Sequence, residues 1–209
     1  MNLISYTIWG ESPRYCWGAE RQPEQAREYY PGWQVRFYSD HERPELIDAG
    51  AEVVVCGPNT GHSTILRRLR ALSDPEAYRV IFRDCDAVLS AREAAAVEEW
   101  INADEIAHAM HDSPWHGDSP LMGGLWGLKG GIPEIEDLIA EWQADPYRLN
   151  VGHERWWESV GEDCFLAKKV WPRVKDSCLT HASIPVRWNA RAFPELDAVT
   201  TEQLAVGVA

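Results

Sequence analysis

"VIFRDCDAVL", residues 80–89, decides how the rest of the chain is read. Val80, Ile81 and Phe82 form an apolar run, Arg83 follows, and two aspartates arrive one residue apart, Asp84 and Asp86, before the chain turns apolar again. Such a run reads as a buried strand. Carboxylates at its end are costly to desolvate unless a cation or hydrogen-bond donors offset their charge. Spacing alone leaves three readings of the D-x-D triplet. It is a structural turn cap, the nucleophile (Asp84) and general acid of a haloacid-dehalogenase-like phosphatase, or a clasp for a divalent cation that holds a diphosphate.

Upstream of the triplet, "LISYTIWG" (3–10), "WQVRFYSD" (33–40) and the "AEVVVCGP" part of "PELIDAGAEVVVCGP" (44–58) read as strands. They are separated by a helix over "QPEQAREYYPG" (22–32) and a short one at the start of the 44–58 stretch. "STILRRLRALSDP" (63–75) places Ile65, Leu66, Leu69 and Leu72 on one helical face. Downstream, Ser90 with Glu93 three residues on is a capping-box start for a helix over "SAREAAAVEEWI" (90–101). Strand–helix alternation implies a mostly parallel sheet covered on both faces, with ligands beyond the carboxyl ends of its strands. Asp84 and Asp86 fall at such an end.

The second half reads less regularly. "EIAHAMHDSP" (105–114) is a strand leading into a loop, "LMGGLWGLKGG" (121–131) a glycine-dense connection, and "PEIEDLIAEWQ" (133–143) a helix. "GEDCFLAKKVWPRV" (161–174) is a further helix and "SCLTHAS" (177–183) a short strand. The expected architecture is an α/β, Rossmann-like, mixed but mostly parallel sheet flanked by helices in a single compact domain over residues 1–192. Residues 1–90 would be its nucleotide-binding half, 91–192 its acceptor half, and 193–209 a C-terminal tail.

Composition narrows the chemistry. At 209 residues the chain is long enough for one sizeable core, and its net charge of −13 opposes general attraction to nucleic acid or anionic membrane. Eleven tryptophans are scattered along it, which assigns most of them to core or cleft packing. Five cysteines, an odd number with no C-x-x-C pair, argue for a reducing compartment and against a disulfide scaffold. No signal-like N-terminus or membrane-length apolar run is present, so the expected location is cytoplasmic.

Position separates the phosphatase from the transferase reading. The phosphatase motif belongs on a first strand and needs a later acidic pair, whereas here about three strands come first and "GEDCFL" offers one candidate. A nucleotide-sugar-dependent transferase expects the order seen, with the acidic pair closing a nucleotide-binding half.

The segment from about 64 to 131 resembles small bacterial and viral glycosyltransferases of the GT-A fold. The resemblance rests on "RRLRALSDP", "RDCDAV", "REAAAVEEWI", "HAMHDSPWH" and "GGLWGLKGG", in that order. It implies a hexosyltransferase-like enzyme that moves a sugar from a nucleoside diphosphate sugar, a UDP-sugar in the first instance, to a hydroxyl acceptor on a glycan, a protein or a modified nucleobase. It also implies Mn2+ or Mg2+, held by Asp84, Asp86 and His181. Arg68 and Arg83 match arginines of the pattern and suit a diphosphate. Tyr6, Thr7 and Trp9 would meet the nucleotide base. Gly123 and Gly124, with His116, Trp126 and Gly127, would line the sugar and acceptor wall, and Asp163 and Asp112 would serve the acceptor as catalytic carboxylates. The chain departs from the pattern at Ala87, where serine is usual, at His111-Asp112-Ser113-Pro114, where "RDxP" is usual, and at Cys164, where retaining relatives carry glutamine. A module that keeps the fold and binds a nucleotide or glycan without turnover is the alternative outside enzymology.

Overall fold

The computed structural model describes residues 1–58, 62–113, 119–144 and 161–195. Seven strands form one sheet: β1 (Asn2–Ile8), β2 (Gln34–Ser39), β3 (Glu52–Val55), β4 (Arg79–Phe82), β5 (Ala107–His111), β6 (Trp126–Lys129) and β7 (Cys178–Ala182). Their order across the sheet is β3-β2-β1-β4-β6-β5-β7. β6 runs antiparallel to both its neighbours, and every other pairing is parallel. The expected α/β architecture is therefore observed. The glycine-dense stretch hid β6, because Gly127 has no side chain to display the alternation that Trp126 and Leu128 begin.

Each strand sends alternate residues to opposite faces. On β1, Leu3, Ser5 and Thr7 face one layer, while Ile4, Tyr6 and Ile8 face the other. On β4, Val80 and Phe82 share the Leu3 layer and Ile81 the opposite one. The Leu3 layer is covered by a 3-10 segment (His62–Ser73), by α4 (Ile135–Ala144), and by α5 (Glu162–Phe165) running into α6 (Trp171–Val174). The opposite layer is covered by α1 (Pro13–Tyr29), α2 (Pro44–Asp48) and α3 (Ala91–Asn102).

Three helices differ from their sequence reading for identifiable reasons. α1 begins at Pro13, nine residues before the expected start, because Ser12-Pro13 opens a helix well and the internal Pro23 is tolerated as part of its buried face. Residues 62–73 wind as 3-10 turns. Their backbone groups are drawn to β1 hydroxyls: Ser5 Oγ donates to Arg68 O (2.8 Å), Thr7 Oγ1 donates to Ile65 O (3.1 Å), and Arg68 N donates to Thr7 Oγ1 (2.9 Å). Between α5 and α6, Leu166–Val170 widens into a π turn. Pro172 has no N–H for the carbonyl four residues back and its ring crowds that position. Ser90 caps α3 as expected, with Glu93 N donating to Ser90 Oγ at 3.3 Å, while the Glu93 carboxylate pairs with Arg83.

The tail from 196, and His116 in the proposed acceptor wall, lie outside the described residues. Among the described residues no helix is long and apolar enough to cross a membrane. All five cysteines are free thiols.

Candidate active site

The chain runs outward from β1 to β2 and β3, then returns to place β4 on the other side of β1. Loops after β1 and β4 diverge at that reversal, which leaves a crevice at the carboxyl ends of the strands. A cavity of about 310 Å3 fills it, lined by Thr7, Ile8, Trp9, Arg14, Tyr15, Ile65, Arg68, Asp84, Cys85 and Asp86.

The acidic turn is held from below by α1. Gly18 lets the helix approach so closely that a Cβ there would sit 2.6 Å from Asp86 Cα and from Cys85 O. From the next turn, the buried Gln22 donates from Nε2 to Ala87 O (2.7 Å) and Cys85 O (3.1 Å), and its Oε1 accepts from Tyr6 Oη (2.9 Å). Burial, with Asp86 and Asp84 adding negative charge, pushes the Cys85 thiol up to about 12 and makes it a poor nucleophile at neutral pH.

The two carboxylates are treated differently. Asp84 Oδ1 accepts from Arg68 Nη1 at 2.9 Å, and the Asp84 side chain is 56% exposed. Arg68 is buried and fixed on several sides: Nη1 also donates to Arg83 O (2.7 Å), Nε donates to Glu162 Oε1 (2.8 Å), and Nη2 pairs with Glu162 Oε2. The neighbouring carboxylates hold the Arg68 guanidinium firmly protonated, while burial raises the Glu162 carboxyl against the opposing pull of Arg68. Asp86 Oδ2 instead accepts from Arg14, at 2.7 Å from both Nε and Nη2, and the Arg14 side chain is 76% exposed.

Gly123 and Gly124 pack against Arg68, Glu162 and Asp84, where nothing larger fits. A Cβ on Gly124 would lie 2.5 Å from Asp84 Oδ2, and one on Gly123 would overlap Glu162 Oε2 and stand 2.8 Å from Arg68 Nη2. Gly123 N donates to Asp163 Oδ1 at 2.9 Å, so the glycine pair links Asp163 to Asp84. α5 opens with Glu162 and Asp163, one turned to Arg68 and the other to Gly123.

The structure thus gathers Thr7, Trp9, Arg68, Asp84 and Asp86 around one cavity and sets Gly123, Gly124 and Asp163 beside it. Six expected residues lie elsewhere. Tyr6 is fully buried on the α1 face, stacked on Phe37 at 4.8 Å, because it alternates with Thr7 and its side chain enters the α1 layer. Arg83 follows the same rule: it is buried on the Ile81 side, donating from Nη1 to Phe82 O (2.8 Å) and pairing with Glu93 (3.5 Å).

His181 corrects the expected metal set. It lies on β7, three strands from β4, and is fully buried. Its Nδ1 bonds His108 Nε2 (2.9 Å) and its Nε2 bonds Glu99 (3.1 Å), so neither nitrogen is turned to the acidic pair. Asp112 pairs with Arg92 of α3 at 2.8 Å and does not line the cavity. Trp126 and Gly127, assigned to the acceptor wall, are β6 core residues, Trp126 stacked on Phe82 at 4.4 Å and Gly127 packed against Ile81 and Trp100.

Arg14, Tyr15, Gly18, Gln22 and Glu162 escaped the sequence reading. Glu162 carried a signal, since "GED" opens a helix with two adjacent acids. Arg14, Tyr15 and Gly18 sit in the part of α1 that precedes the expected start, and Gln22 is the first residue of the expected helix, where nothing local marks its contact with the acidic turn.

Among the described residues no cluster of three or more His, Cys, Asp or Glu side chains forms a complete metal cage. The donor set still fits a hard divalent cation, because Mg2+ and Mn2+ sites are commonly completed by water and substrate phosphates around one or two carboxylates.

No protein-family model and no curated protein matches the chain. Its fold matches solved structures at low sequence identity. One is a glycosyltransferase involved in the glycosylation of the major capsid of PBCV-1, at TM-score 0.53 and 15% identity, covering 86% of this chain and 80% of that one. A second is a protein from Desulfovibrio desulfuricans G20 described as a nucleotide-diphospho-sugar transferase, at TM-score 0.50 and 11% identity, covering 87% and 80%. The glycosyltransferase GlyE of Streptococcus pneumoniae TIGR4 matches at TM-score 0.51 and 11% identity over 86% of this chain and 44% of that one. The fold is therefore that of GT-A-like glycosyltransferases.

Proposed function

We infer that the protein is a glycosyltransferase that takes a sugar from a nucleoside diphosphate sugar, a UDP-sugar in the first instance, and passes it to a hydroxyl acceptor with the help of a divalent cation. The observation that carries this reading is the placement of Asp84 and Asp86 with Thr7, Trp9 and Arg68 around one cavity at the strand reversal of a GT-A-like sheet. Phosphates favour such a crevice, and the aromatic surfaces of Trp9 and Tyr15 suit a base.

Asp84 and Asp86 would hold the cation, which when bound supplies positive charge against the departing diphosphate. Arg68 fixes the Asp84 carboxylate toward the cavity and keeps positive charge beside it. The bond between the anomeric carbon and the diphosphate oxygen breaks, and a bond to the acceptor oxygen forms. Gly124 packs directly on Asp84 and Gly123 on Arg68 and Glu162, so the glycine pair holds the Asp84 carboxylate in place. The acceptor proton would pass to a carboxylate, and Asp163, held by Gly123 N, is our candidate for it. The free cysteines support a reducing, cytoplasmic setting.

Nucleotide sugars are screened by thermal shift with and without Mn2+, and the best donor is carried into a turnover assay. Asp86→Ala is expected to remove both the Mn2+-dependent shift and turnover while leaving the far-ultraviolet circular dichroism unchanged. Undiminished turnover in that variant would reject the site.

A further inference from the structure

Arg14 occupies the carboxylate that the cation would need. Its Nε and Nη2 both lie 2.7 Å from Asp86 Oδ2, the geometry of a charge-assisted pair. The two arginines of the cavity differ in how they are held. Arg68 is 2% exposed and is clamped by Glu162, Asp84 and the Arg83 carbonyl, so it cannot leave. Arg14 stands in the first turn of α1, is mostly exposed, and its guanidinium lies 5.6 Å over the neighbouring Tyr15 ring. It can swing within the cavity that it helps to line.

Resting on the reading above, we propose that Arg14 is a positioning residue that latches Asp86 before a divalent cation binds and is handed over to the donor phosphates when the cation takes its place. The latch neutralises Asp86 while no cation is present, so the pair of acids does not repel itself open. Displacement leaves a free guanidinium next to a diphosphate, to which it is well matched. Cation and nucleotide then strengthen each other's binding, and such coupling is reciprocal by thermodynamic necessity.

The test is a Mn2+ titration read by electron paramagnetic resonance of the free ion, with and without UDP, on wild type, Arg14→Ala, Arg14→Lys and Asp86→Asn. An exposed ion pair is worth up to a factor of about five, so Arg14→Ala is expected to bind Mn2+ alone about three- to fivefold more tightly than wild type. The gain in Mn2+ affinity on adding UDP should shrink in Arg14→Ala and be partly kept in Arg14→Lys. If wild type binds Mn2+ and Asp86→Asn does not, the site stands, and unchanged or weaker Mn2+ binding by Arg14→Ala overturns the latch alone. Tighter Mn2+ binding with undiminished UDP coupling overturns the hand-over. Absence of Mn2+ binding in every protein, with or without UDP, removes the site and the latch together.

Discussion

Alanine at Gly123 and alanine at Gly124 add the same methyl group to adjacent residues, yet the two are expected to damage different properties. At Gly123 the methyl overlaps Glu162 Oε2 and lies 2.8 Å from Arg68 Nη2, and both partners are buried. Neither can retreat without parting the ion pair. Overpacking costs about 1–3 kcal/mol and breaking a buried pair about 3–5 kcal/mol, so a loss near 3 kcal/mol is expected. For a chain of this size that lowers Tm by about 6–12 °C. At Gly124 the methyl lies 2.5 Å from Asp84 Oδ2 and 2.7 Å from Cγ. Carbon atoms in good contact sit near 3.5 Å, so the carboxylate must give way by about 1 Å. Asp84 is more than half exposed and can do so by rotating into solvent, at a cost of about 1 kcal/mol or less. Binding of Mn2+ with UDP should then fall about tenfold or more, because a ligand moved by an ångström no longer meets the coordination distance. Thermal unfolding followed by circular dichroism and calorimetric titration with Mn2+ and UDP measure the two effects. Equal Tm losses in both variants, or full affinity in Gly124→Ala, would refute the assignment of these glycines.

Two further outcomes follow from residues outside the cavity wall. Gln22→Ala strips the buried Tyr6 hydroxyl of its acceptor and Cys85 O and Ala87 O of their donor. A loss of about 2 kcal/mol, or about 4–8 °C in Tm, is expected, together with weaker nucleotide binding as the acidic turn loosens; an unchanged melting curve would contradict the buttress. Burial holds His108 well below the ordinary imidazole value, with His181 and Arg83 adding to the effect. The unfolded chain takes up that proton near pH 6.5 while the folded chain does not, so stability is full above that pH and falls as pH drops below it, by about 1.4 kcal/mol per pH unit for this histidine. Urea midpoints at pH 7.5, 6.5 and 5.5 measure the slope, and His108→Gln should flatten it; a midpoint unchanged down to pH 5.5 would contradict the sign.

The histidine pair shows why the metal set was misread. Glu99 accepts, so His181 Nε2 carries a proton, its Nδ1 accepts, and His108 Nε2 donates to it. This relay ties β5 and β7 to α3, three strands along the sheet from the acidic pair. A histidine in a short strand near the C-terminal end looks the same in sequence whichever face it takes. Tyr6 and Arg83 failed for a related reason: each was grouped with its neighbours along the chain, although adjacent strand residues point in opposite directions.

By itself the sequence determined the alternation of strand and helix, the placement of D-x-D at the end of the fourth strand, and the start of α3 at its cap. These follow from local periodicity and capping chemistry, which act over a few residues. The tertiary structure decided which neighbours meet. Arg68 finds Glu162 ninety-four positions away, Arg14 reaches Asp86 across seventy-two, and β6 enters the sheet antiparallel between strands that precede it. Such pairings depend on how whole layers stack and on which side of each strand a residue falls, and no short stretch of chain carries that information.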